Sequence, residues 1–137
     1  VSARLIVDTG PLVAFFSKTD THHAWVARAW KIKATLVTCD AVITEAAFLL
    51  QRRTGLADLL LQFVEEGAMQ VQGMGPEIPA VRRLMRRYSS VPMSFADACL
   101  VRMSELDAGA TITTCDSDFT VYRRLGRQVI PLLAPFG

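Results

Sequence analysis

Four carboxylates in this sequence, Asp8, Glu45, Asp97 and Asp116, stand where acids could do chemistry. Asp8 follows the apolar run "LIV" and Asp116 follows "TITTC". Each has an ordinary explanation as a helix N-cap, a position aspartate favours, and Asp40 is expected to be such a cap. Glu45 and Asp97 are harder to explain structurally. In "AVITEAAFLL", Glu45 has Val42 at i−3 and Phe48 and Leu49 at i+3 and i+4, so its carboxylate is expected on the apolar side of a helix. In "SFADACLV", Asp97 has Leu100 and Val101 on its face. An ionised acid in such company is costly to bury unless a cation meets it. Two of them beside two strand-end aspartates suggest one shared site. Carboxylates without His or Cys ligands suit a hard divalent ion such as Mg²⁺ or Mn²⁺. Such clusters commonly act on phosphate esters, where the ion activates water and offsets charge.

Two other chemistries start from the same residues. The triplet "DTG" at Asp8–Gly10 occurs in aspartic proteases. Those enzymes are almost wholly β and need two such triplets, whereas this chain has one inside a helix-rich pattern. A phosphatase of the haloacid-dehalogenase type also begins with a strand-end aspartate but needs a second one two residues on, where Gly10 stands. His22 and His23, paired near a helix start, are expected at the surface or behind the ligands.

The acids must be held by elements that the periodicity outlines. "ARLIV", "ATLVT", "AMQVQ", "ATITTC" and "QVIPLL" read as strands, the first of them fully buried. Between them run helical stretches: one entered through Pro11, "THHAWVARAWKI", one from Asp40 to about Arg53, and "LADLLLQFVEE" between Gly55 and Gly67. "PEIPAVRRLMRRY", "SFADACLVRMSEL" ending at Gly109, and "SDFTVYRRL" complete the helices. Alternating strands and helices imply crossover connections and a parallel sheet covered on both faces. In such sheets ligands bind beyond the carboxyl ends of the strands, which puts Asp8 and Asp116 on one rim.

The bulk properties agree with this frame. At 137 residues, 51% apolar and 20% charged, the chain is expected to be one soluble domain without a disordered tail. The longest apolar stretch, "LADLLLQFV", is too short to span a membrane and contains Asp58 and Gln62. The N-terminal apolar run, broken by Asp8 and Pro11, does not fit a signal peptide. Cys39, Cys99 and Cys115 show no CxxC spacing, which fits a reducing cytoplasm better than disulfides or a zinc site. A net charge of +2 does not by itself announce nucleic acid.

The stretches "LIVDTGPLVAFF", "ITEAAFLL", "SFADACLV" and "TITTCDSDF", in this order and roughly this spacing, resemble the four acidic motifs of the PIN domain. The similarity is closest to VapC-type toxin ribonucleases and spans essentially the whole chain. It implies a three-layer α/β/α sandwich around a parallel sheet of about five strands, and metal-dependent hydrolysis of RNA phosphodiesters. Carried over residue by residue, the acids are Asp8, Glu45, Asp97 and Asp116. Asp8, Asp97 and Asp116 would hold Mg²⁺ or Mn²⁺, and Glu45 would orient or deprotonate water. Thr114 matches a small hydroxyl position that supports the site, Thr9 follows the first acid as a small polar residue does in relatives, and Asp118 is a candidate for the second-metal side. Ser94 is a departure, because many relatives have an acid there. The resemblance also implies a homodimer and a small antitoxin that wraps the protein, one with a basic side chain near the acids. Other possibilities are an RNA-processing nuclease of this fold without an antitoxin, or a non-catalytic RNA- or partner-binding module.

Basic residues cluster in two places. "RRLMRRY" puts Arg82, Arg83, Arg86 and Arg87 on one side of a helix, a stripe that suits phosphate backbones and equally an ordinary solvated face. Arg123, Arg124 and Arg127 follow Asp116 and are the better-placed RNA candidates. Arg52 and Arg53 close the Glu45 helix, where they suit its C-terminal dipole. Trp25, Trp30 and "LLLQFV" are expected in the core or at a dimer surface.

Overall fold

The computed structural model describes residues 3–31 and 33–136. Its centre is a five-stranded, all-parallel sheet in the order β3-β2-β1-β4-β7. The strands are β1 (Ala3–Val7), β2 (Ala34–Cys39), β3 (Met69–Gln72), β4 (Thr111–Thr113) and β7 (Leu132–Leu133). Helices α1 (Thr9–Phe16) and α2 (His23–Ala29) connect β1 to β2, and α3 (Asp40–Thr54) and α4 (Ala57–Glu65) connect β2 to β3. Helices α5 (Ile78–Arg87) and α6 (Phe95–Leu106) return the chain from β3 to β4, on the far side of β1. The first two crossovers step one way along the sheet and the third steps back. Right-handed connections therefore put α5 and α6 on the opposite face from α1–α4. The result is the expected three-layer arrangement, with six helices around the sheet.

The inner strands read as apolar runs because both of their faces are covered. Leu5, Ile6, Val7, Val37, Ile112 and the α6 residues Leu100 and Val101 lie in one continuous core. Strand β1 is less buried than its composition suggests, since Ala3 and Arg4 are exposed at its start. In α2 the buried residue is Val26 rather than Ala24, Ala27 or Trp30, and Ile32, the last residue expected in that helix, lies outside the described residues. Trp30 instead joins Phe15, Phe16 and Phe63 in an aromatic cluster.

Several local expectations are corrected. Asp40 is the first residue of α3 and makes no capping bond, because the extended Cys39 occupies the cap position. Gly55 belongs to the end of α3, which it closes in the left-handed region (φ 68°). α6 stops at Leu106 with Asp107 as its cap, ahead of Gly109. "SDFTVYRRL" is not a helix. It forms a 3₁₀ turn over Ser117–Thr120, followed by β5 (Arg123–Arg124), which pairs antiparallel with β6 (Gln128–Val129). "QVIPLL" therefore divides into β6 and β7, with Pro131 between them supplying no backbone donor.

Candidate active site

Asp8, Thr9, Glu45, Ser94, Asp97 and Asp116 line one cleft of about 400 Å³ at the carboxyl ends of the strands. Its deepest acid is Asp8, only 7% exposed. It leaves β1 extended and caps α1, so the capping role and the place in the cleft coincide. Asp8 Oδ1 accepts from the Thr9 backbone N–H at 2.8 Å and Oδ2 from the Thr114 hydroxyl at 2.7 Å. Burial lifts Asp8 to about 6 in spite of those bonds, and the nearby Asp97 and Asp116 charges add to the rise.

Thr114 sits where β4 ends, and its hydroxyl also accepts the Asp116 N–H at 2.9 Å. One side chain thus ties the Asp8 carboxylate to the Asp116 backbone. Asp116 likewise combines two roles: it caps the following 3₁₀ turn by accepting the Asp118 N–H on Oδ1 at 2.9 Å. Asp118 contributes that backbone donor, and its side chain is not among those lining the cleft.

Asp97 lies in the first turn of α6, half-buried, where Ser94 and Asp97 form a reciprocal capping box at 3.0 and 3.2 Å. The serine that stands in place of an acid therefore starts the helix. Burial also raises Asp97 above the usual carboxylate range, and the Ser94 N–H and Tyr122 hydroxyl oppose the rise. Glu45 departs from expectation. It is exposed, and the buried stripe of α3 is Val42, Ala46 and Leu50, with Phe48 itself 59% exposed. The helix turns the Glu45 face away from the core and toward the cleft, where Oε2 accepts from the Thr9 hydroxyl at 3.2 Å.

Tyr122 is a site residue that sequence patterning missed. It is fully buried, packs edge-on against Tyr88 and Phe119, and donates its hydroxyl to Asp97 Oδ2 at 3.1 Å. The aromatic spacing of Phe119 and Tyr122 was visible but fitted a helix. Nothing local links Tyr122 to an acid 25 positions earlier. Gly10 and Cys115 also line the cleft, packed so that a Cβ at Gly10 would lie 3.4 Å from Cys115 Cβ, in van der Waals contact. Burial and the Asp8 charge push the Cys115 thiol up to about 11, so it offers no thiolate at neutral pH.

The donor set is therefore carboxylate and hydroxyl oxygen, which matches a hard divalent cation. Among the described residues none of the four acids is in an ion pair, and no three His, Cys, Asp or Glu side chains are already drawn to metal-ligating positions. The cleft gathers negative charge that no protein cation offsets, and burial penalises that charge most at Asp8.

The basic candidates divide. Arg82 and Arg86 are exposed on α5. Arg123 turns its guanidinium onto the carbonyls of Thr120, Val121 and Tyr122. Arg124 is corrected as an RNA candidate: it is buried at 8% exposure and donates to Ser104 and to the Ala108 carbonyl at the end of α6. His23 is likewise structural, with Nδ1 2.7 Å from the Ala14 carbonyl.

A family model described as PIN domain matches residues 5–125. Ribonuclease VapC26 of Mycobacterium tuberculosis is 30% identical over 127 residues, covering 89% of this chain and 94% of that protein. The crystal structure of Mycobacterium tuberculosis VapC20, described as a sarcin-ricin loop cleaving toxin, aligns with a TM-score of 0.75 at 21% identity, over 85% of this chain and 93% of that one. The structure of the PIN domain endonuclease Utp24 aligns with a TM-score of 0.54 at 13% identity, over 98% and 86% of the two chains. At these identities the two structural likenesses concern the fold.

Proposed function

The chain belongs to the PIN domain family, and on that premise we propose that it is a metal-dependent endoribonuclease, the toxin of a toxin–antitoxin pair, built as one nuclease domain. The observation that carries this is the convergence of Asp8, Glu45, Asp97 and Asp116 on one cleft without a counter-cation among the described residues. The similarity to Ribonuclease VapC26 supports the RNA substrate and, with it, a small protein antitoxin as partner. We also propose a homodimer acting in the cytoplasm. No helix among the described residues is long and apolar enough to cross a membrane.

Asp8 and Asp97 would hold the principal Mg²⁺ or Mn²⁺, with Asp116 completing the set. The ion would neutralise phosphate charge and lower the pKa of water, the two things carboxylates alone cannot do. The protein's own residues do the positioning. Thr114 and the Thr9 N–H hold Asp8, while Ser94 and Tyr122 hold Asp97 on Oδ2. Thr9 steadies Glu45 through Oε2, so Oε1 is the oxygen that orients the attacking water and takes its proton. Water oxygen then bonds to phosphorus in line with the departing ribose oxygen, which leaves with a solvent proton.

Incubation with structured RNA, with and without EDTA and with casein assayed in parallel, tests the proposal. RNA cleavage that chelation abolishes and Mg²⁺ or Mn²⁺ restores is the expected result. An Asp8→Asn or Asp97→Asn protein with full metal-dependent activity, or chelator-insensitive proteolysis of casein, would overturn it.

A further inference from the structure

Beside the acid cleft lies a groove of about 220 Å³, bordered by Asp40, Met74, Ile78, Phe95 and Cys99. The same two helices bound both depressions. α3 sends Glu45 to the cleft and Asp40 to the groove, and α6 sends Ser94 and Asp97 to the cleft and Phe95 and Cys99 to the groove. Asp40 follows β2 and Met74 follows β3, so the groove continues the cleft along the carboxyl rim of the sheet. Its wall is mostly apolar, yet Phe95 is 44% and Ile78 37% exposed. Asp40 makes no ion pair among the described residues. Its Oδ2 lies toward Gly73, where a Cβ would stand only 3.7 Å away.

A phosphodiester bound at the acids brings a nucleoside on each side, so whatever adjoins the cleft meets a base. An aromatic face beside an apolar pocket suits an unpaired base, which stacks on such side chains and leaves its Watson–Crick edge to be read. The phosphate backbone does not suit the groove, because no cation lines it among the described residues. A carboxylate accepts and cannot donate. Guanine presents N1–H and the N2 amino group side by side, a match for two carboxylate oxygens. Uracil presents one N–H flanked by two carbonyl oxygens that a carboxylate repels. We propose that this groove is a base subsite for an unpaired guanine next to the scissile phosphate, with Phe95 as the stacking face and Asp40 accepting from the guanine edge. The subsite presupposes ribonuclease activity at the acid cleft.

The test is cleavage of a random-sequence single-stranded RNA pool in Mg²⁺ or Mn²⁺, with cut ends sequenced. Wild type is expected to enrich guanine at one fixed position relative to the cut. Phe95→Ala and Phe95→Leu lower kcat/KM on guanine-containing sites about tenfold, whereas Phe95→Tyr, which keeps the ring, does not. Leu preserves apolar bulk, so equal losses in the Ala and Leu variants separate stacking from unfolding. Asp40→Asn erases the guanine enrichment. RNA cut by wild type without base preference at any fixed position overturns the subsite and leaves the ribonuclease proposal standing. Absence of metal-dependent cleavage overturns both. A Phe95→Ala protein that cuts like wild type but changes oligomeric state makes the groove a protein contact and overturns the subsite.

Discussion

Asp8 and Glu45 face one cleft from opposite physical conditions. Asp8 is 7% exposed, accepts bonds on both oxygens, and is raised to about 6 by burial. Glu45 is exposed, on the solvent side of α3, and accepts on one oxygen from Thr9 at 3.2 Å. A braced, desolvated carboxylate is a good cation holder, because the ion relieves the charge that burial penalises. A solvated carboxylate with a free oxygen is better fitted to handle water. The cleft therefore has a braced wall, made of Asp8, Thr114, Asp97 and Tyr122, and a solvated wall at Glu45, and the proposed roles of holding the ion and handling water divide along that line.

The sharpest break of this contrast comes from neutralising each wall separately. Asp97→Asn or Asp8→Asn is expected to abolish Mn²⁺ binding measured by calorimetry and to lower cleavage at least about 100-fold, beyond the usual loss for an outer-shell partner. Glu45→Gln is expected to lower kcat by about 10²–10⁴ while Mn²⁺ affinity stays near wild type. Equal losses of metal affinity at Glu45 and Asp8 would erase the distinction.

A stability experiment sharpens the same point without substrate. Asp8 rises from an ordinary 3.8 to about 6 on folding. Between those values the folded chain keeps a proton that the unfolded chain has released, so folding weakens as pH rises through the window, by about 3 kcal/mol. Asp97, raised for the same reason, adds in the same direction. Urea melts in EDTA from pH 4 to 7 are expected to show this decline, and Asp8→Asn to reduce it to the part that Asp97 contributes.

Smaller effects come from the braces. Thr114→Val removes the donor to Asp8 and the acceptor for the Asp116 N–H, and Tyr122→Phe removes the donor to Asp97. Each is expected to weaken Mn²⁺ binding about 10- to 100-fold with the fold intact. Among the arginines the expected effects are smallest on chemistry. Arg124→Met is expected to lower stability by about 2 kcal/mol, because its bonds to the Ser104 and Ala108 carbonyls are charge-assisted, and to leave cleavage per folded molecule unchanged. Arg82→Ala or Arg86→Ala is expected to leave stability alone and to reduce the salt slope of RNA binding by about 1.

The parallel sheet and the four acids were legible because they rest on short-range signals. Apolar runs such as "LIV" and "TIT", and acids at strand ends, are local patterns that a covered parallel sheet demands. The stretch from Ser117 to Val129 was not legible. Phe119 and Tyr122 carry helical spacing, but Tyr122 is drawn into a pocket with Tyr88 and Phe119, and the chain turns into the β5–β6 hairpin. Glu45 misled for a related reason: apolar neighbours at helical spacing name a face, and only packing decides whether that face is inside. Phe48, 59% exposed, shows that here it is not.

By itself the sequence determined the alternation of strands and helices, hence the rim on which Asp8 and Asp116 stand, because crossover geometry leaves a parallel sheet few alternatives. It also named the acids that would offer oxygen donors to the proposed ion, since no His or Cys motif competes. Tertiary structure alone decided how differently the acids are held. Desolvation and cross-chain hydrogen bonds, Thr114 to Asp8 and Tyr122 to Asp97, arise only when distant segments pack. Those bonds and that burial, rather than residue type, separate the braced Asp8 and Asp97 from the exposed Glu45, the difference on which the proposed roles rest.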